Sequence, residues 1–168
     1  MVAFAQWLQS SSLSITIQSN TWLTPLLQSI HILMIGVVFV AILMLALRVF
    51  GRVRADESFI EVWTRFAPWM WRGLITMAVT GVILIIGEPV RQFTALSFWL
   101  KMALLVVAVI SVVFFARSMR DATLADPAKS EFSSGAKLAA SATVVLWLVI
   151  IFLGRAIAYD VEVWGALT

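Results

Sequence analysis

Residues 22–51, WLTPLLQSIHILMIGVVFVAILMLALRVFG, decide the class of this protein. From Leu23 to Leu47 there is no Asp, Glu, Lys or Arg, and the run exceeds the roughly 20 apolar residues needed to cross a hydrocarbon core. Near its start stands His31, the only histidine in the chain. Working outward, three more apolar blocks of spanning length follow, so the spans expected are residues 24–48, 68–87, 96–116 and 137–159. The expected fold is all-α, an integral membrane four-helix bundle forming a single domain over residues 1–168.

Composition agrees. Hydrophobic residues make up 62% of the 168, against roughly 45–50% in an average soluble domain. The absence of cysteine excludes a disulfide framework, a thiolate metal site and an iron–sulfur cluster. A pI near 10.0 does not point to nucleic acid, because the basic residues sit in short loops beside apolar blocks.

Residues 1–20 hold no Lys or Arg and no long apolar run, unlike a signal peptide. Phe4, Trp7 and Leu8 fit one face of a short interfacial helix, with a loosely ordered tail as the equal alternative. Thr24 is expected to cap the first span, with Pro25 at its first helical position. Residues 58–66 read as a separate amphipathic helix lying on the membrane surface. Its apolar face is Phe59, Val62, Trp63 and Phe66, and its wet side an ion pair of Glu61 with Arg65. Gly73, Thr76 and Thr80 make a small-residue stripe in the second span, the usual mark of close helix packing. A turn over residues 88–92 leads to the third span, and a polar loop with an Asp126-Pro127 turn precedes the fourth.

Orientation follows from the basic residues. Arg48, Arg52, Arg54, Arg65 and Arg72 flank the first loop, and Arg117, Arg120, Lys129 and Lys137 the third. The N-terminal tail and the last eight residues carry none. The positive-inside rule puts both large loops in the cytoplasm and both termini on the outer, periplasmic side of a bacterial inner membrane.

That topology gives a depth argument. His31 lies roughly 9 Å into the first span from outside, at 1.5 Å per residue. Lys101 in the third span lies similarly deep, and Arg155 about one turn before the outer end of the fourth. Intramembrane ionisable residues usually face a bundle interior or a pathway. The competing reading has Lys101 and Arg155 snorkelling and His31 bonded to a neighbouring helix. Gln28, one turn before His31, is placed to orient the ring, and Arg91 lies on the outer turn above.

One imidazole beside two or three cations suits haem, an apolar plate needing an axial histidine and cations for its propionates. His31 is then the axial ligand to iron in haem b; Lys101 and Arg155, helped by Arg91, hold propionates. Copper is the alternative, through His31 and Met34 one turn below it, with Met102 beside Lys101. A third reading has no cofactor, the chain being a structural or assembly subunit. The partners expected are the bilayer and either a redox partner or further copies of the chain.

Pro25, Gln28 and His31, then Leu47-Arg48 with Gly51, Pro68-Trp69-x-Trp71, Thr80-Gly81 and Phe98-x-x-Lys101 together resemble an uncharacterised bacterial family of small four-span proteins. Ala46 stands where an acidic residue would be expected before Leu47-Arg48. More distantly, the layout is similar to the HemJ-type protoporphyrinogen oxidases and to CopD-type copper-resistance membrane domains. The HemJ-type resemblance implies bound haem, with His31 and Lys101 as the key positions and Lys101 as a catalytic residue. Electron transfer or porphyrin oxidation is the function expected first, and copper transport second.

Overall fold

The computed structural model describes residues 2–125 and 132–165, and these are all helix and connecting turns, without strand. Four helices are long and apolar enough to cross a membrane: α3 (Leu23–Val49), α4 (Phe59–Gly87), α6 (Leu96–Ala125) and α7 (Ser134–Ala156). Shorter helices complete the chain: α1 (Val2–Gln9), α2 (Ser12–Ser19), α5 (Pro89–Thr94) and α8 (Asp160–Trp164), the last reached through a 3-10 turn, Ile157–Tyr159. The Asp126-Pro127 turn and Lys129 lie outside the described residues.

The four long helices share one core, in which Val38, Ala41 and Ile42 of α3 meet Met70 and Met77 of α4, Ala108 and Val112 of α6, and Trp147 and Ile150 of α7. Their outward faces are as apolar as their inward ones. Phe114 is 67% exposed, and Ile32, Ile75, Leu138 and Phe152 are exposed with it. Water would not tolerate such surfaces on four helices at once, whereas lipid tails solvate them. This is a multi-pass membrane protein.

Close approach of α3 and α4 depends on Gly73. A Cβ there would stand 2.6 Å from Val38 Cγ2, so only hydrogen fits. The small-residue stripe therefore serves packing, as expected.

Local chemistry sets the helix ends, and several differ from expectation. Helix α3 starts at Leu23 rather than after a Thr24 cap. The Asn20 side chain and carbonyl accept from the Trp22 and Leu23 N–H groups and turn the chain into the helix. Pro25 still falls in the first turn, where its missing N–H costs nothing. At the other end Gly51 takes a left-handed φ of 68°, Arg52 N–H donates to the Leu47 carbonyl and Gly51 N–H to that of Arg48, closing a Schellman motif. The separate surface helix over 58–66 is not found. Those residues are the first turns of α4, which runs unbroken through Pro68. Ser58 and Glu61 form a reciprocal capping box, so the helix nucleates well before the proline. The predicted inward face holds: Phe59 and Val62 are fully buried, and Trp63 and Phe66 pack beside them. The Glu61–Arg65 pair is replaced, because Glu61 turns back onto Ser58 and Arg65 pairs with Glu57 at 3.2 Å. The turn over residues 88–92 is the start of helix α5, entered at Glu88, whose φ of −136° and ψ of 59° break the helix between α4 and α5.

The N-terminal segment is ordered as two helices at the end of the bundle carrying both termini. Ile17 of α2 packs on Gly87, and the Phe4 ring of α1 meets Phe93 of α5 edge-on.

Candidate functional site

His31 faces α4, not Gln28. Its Nδ1 lies 2.8 Å from Thr80 Oγ1. The Thr80 hydroxyl has one proton, which it donates back to the Thr76 carbonyl at 2.8 Å, with the Met77 carbonyl at 3.2 Å. The hydroxyl therefore accepts from His31 Nδ1–H. In the neutral imidazole this places the proton on Nδ1 and the lone pair on Nε2, and the ring also hydrogen-bonds the Met77 backbone. Next to Thr80, Gly81 gives the ring room: a Cβ there would touch His31 Cε1 at 3.5 Å. Thr80-Gly81 is thus the seat of the histidine.

Lys101 approaches from the opposite pair of helices. Its stem crosses Gly154 of α7, with Nζ 3.4 Å, Cε 3.7 Å and Cδ 3.8 Å from where a Cβ would stand. It is close enough for its charge to act on the His31 ring. All four long helices contribute: His31 from α3, Thr80 and Gly81 from α4, Lys101 from α6 and Gly154 from α7.

The other expected members stand apart. Arg155 turns outward, its guanidinium 5.4 Å above the Tyr159 ring. Arg91 pairs with Glu88 at 2.8 Å on the exposed surface. Gln28 is exposed on α3. Met34 packs against the bundle core, whereas Met102 is exposed on α6. Among the described residues no three of His, Cys, Asp and Glu gather as a metal-ion site.

Sequence reasoning missed Gly154 and the role of Asp160. The Asp160 carboxylate accepts from Leu96 N–H and Ser97 N–H, both at 2.9 Å, and so caps α6 one turn above Lys101. Trp164 Nε1–H adds a bond to Ser97 Oγ at 2.8 Å. The available signal was a helix start at Leu96 with no Ser, Thr, Asp or Asn at the cap position, which demands a donor partner from elsewhere.

Two cavities lie toward the other end of the bundle. One of about 20 Å³ is enclosed by residues including Ile42, Trp63 and Ala140, and an open groove of about 620 Å³ runs between α6 and α7 past Ser111, Ser118 and Ala139. Neither is lined by His31 or Lys101.

Chemically, the site sets an imidazole bonded to Thr80 on one pair of helices and a lysine ammonium against Gly154 on the other, in an apolar setting. No curated protein and no solved structure matches the chain. Residues 4–160 match a family of unknown function (DUF6644), and the chain belongs to that family.

Proposed function

We propose that this is a haem- or porphyrin-binding protein of the bacterial inner membrane with a redox role, both termini facing the periplasm. The observation that carries the reading is the bond of His31 Nδ1 to Thr80, which would leave Nε2 to meet a ligand. A histidine whose other nitrogen donates to a fixed acceptor has the arrangement that orients an axial ligand. The donor set fits such a group: His31 would hold its iron and Lys101 would offer an ammonium to a propionate. Arg155 and Arg91 are engaged elsewhere, so that contact rests on Lys101. When bound, the group supplies one-electron chemistry at its iron. The chain's part is to hold the ring through Thr80, place the cation through Gly154, and keep bulk water out with apolar helices. Copper has less support, since Met34 packs against the bundle core and Met102 is exposed on α6.

Absorbance of the purified full chain tests this. A Soret band is expected in the wild type, lost in His31→Ala while the protein still accumulates in the membrane. Undiminished haem in His31→Ala removes the imidazole from the site. A colourless wild type carrying copper selects the copper reading, and one with neither cofactor selects a structural subunit.

A further inference from the structure

A second feature, independent of what His31 holds, lies on the opposite side of α4. Arg65, Trp69 and Arg72 follow at spacings of four and three, so they form one stripe on the outward face. All three are exposed, Trp69 by 58%. The inward face is taken by Val62, Met70, Gly73 and Met77, so the stripe cannot turn into the bundle. The Arg72 guanidinium sits 5.7 Å from the Trp69 ring centroid and makes no hydrogen bond to any described side chain. From Gly73 onward the helix has no charged residue through Gly87, about 22 Å at 1.5 Å per residue. Arg72 thus stands at the first turn of the apolar stretch, with unspent donors and no carboxylate of its own.

A cation at that depth is costly unless an anion meets it. The nearest carboxylates are committed: Glu57 holds Arg54 and Arg65, and Glu61 is turned onto Ser58. Residues 48–72 carry five arginines against Asp56, Glu57 and Glu61, a net positive collar around the stripe. Trp69 is at the level where an indole prefers the boundary between headgroups and tails. The geometry points to a binding site for the phosphate of an anionic phospholipid, held by Arg72 and by the Arg65 N–H groups that its Glu57 pair leaves over, with its upper acyl chain against Trp69. The occupant is a bilayer lipid because the stripe faces outward and its inner edge is continuous with the lipid-facing surface of α4. A guanidinium suits the group, since its planar fork matches two phosphate oxygens at once.

The test uses the full chain reconstituted in phosphatidylcholine vesicles containing brominated phosphatidylglycerol or, separately, brominated phosphatidylcholine. The emission difference between wild type and Trp69→Phe isolates quenching at this one tryptophan. Brominated phosphatidylglycerol is expected to associate roughly thirtyfold more strongly than the zwitterionic lipid, the order expected for two basic residues at an anionic surface. Arg72→Gln, which removes no contact but the Trp69 stack, should bring the two lipids close to parity. Arg65→Gln should reduce the preference in part. Equal quenching by both lipids in the wild type overturns the proposal, as does an unchanged preference in Arg72→Gln. Loss of the preference on adding inorganic phosphate at constant ionic strength overturns the assignment to a lipid in favour of a free anion.

Discussion

Lys101 and Arg155 stand at similar distances from the outer ends of the expected spans 96–116 and 137–159, yet they differ in what they touch. Lys101 lies inward across Gly154 toward His31, whereas Arg155 reaches back over Tyr159. Depth along a helix is readable from sequence because it depends only on counting residues. Direction around the helix depends on which neighbour offers space, and Gly154 carries no signal until α7 is packed on α6. If Lys101 faces a bound propionate, Lys101→Met should weaken haem retention while insertion is preserved. Arg155→Met should be nearly silent, because methionine keeps the apolar stem and what is lost is a surface cation–π contact with Tyr159, about 0.5–1 kcal/mol, and a long, exposed hydrogen bond to the same hydroxyl. Titrating haem from each purified variant checks the pair. Equal losses would return Arg155 to the site, and a Lys101→Met protein that keeps its Soret band but stops porphyrinogen turnover would make the lysine catalytic.

Among the elements, α4 departs most from its sequence. Pro68 marks a plausible start, since proline is favoured in a first helical turn and disfavoured inside. Here it falls in the tenth position of a helix already nucleated by the Ser58–Glu61 box, on an exposed side where its ring meets no core residue. The apolar face of residues 59–66 was legible because periodicity survives whichever way the segment is joined to the next. What it packs against was not, and it proves to be the bundle itself. The α3–α4 contact gives a direct test. Gly73→Ala introduces a methyl into the space held by Val38 Cγ2, and overpacking of this kind costs about 1–3 kcal/mol, more than the roughly 1 kcal/mol gained in helix propensity. A second change, Val38→Ala, should recover part of the loss in the same chain. Unfolding of both variants in mixed micelles is the measurement; a Gly73→Ala protein more stable than wild type would show that the helices separate without cost.

For the molecule as a whole, the number of spans and their order could be read directly, because lipid imposes length and polarity on every segment that crosses it. Sidedness rests on the arginines and lysines of alternate loops. The chain has no cysteine, so single cysteines report without background. Ser58→Cys and Ser133→Cys should resist an impermeant thiol reagent in intact cells, and Ser11→Cys should react. Labelling of the first two without permeabilisation would reverse the faces and move His31 and Lys101 to the cytoplasmic half.

The cap that Asp160 places on α6 also has a consequence in time. It joins residues 64 positions apart, so the first N–H groups of α6 have no partner until nearly the whole chain has been made. At roughly 5–20 residues per second, the ribosome needs about 3–13 s to cover that distance. During that interval α6 has crossed the membrane with Lys101 in place, while α7 and its Gly154 are still being synthesised or inserted. The wall that positions the lysine comes from the last span, and the carboxylate that closes the helix above it from α8 just beyond that span. His31 and Thr80 are both made before Lys101 and Gly154, so synthesis delivers the two halves of the site in order, the imidazole's first and the cation's last.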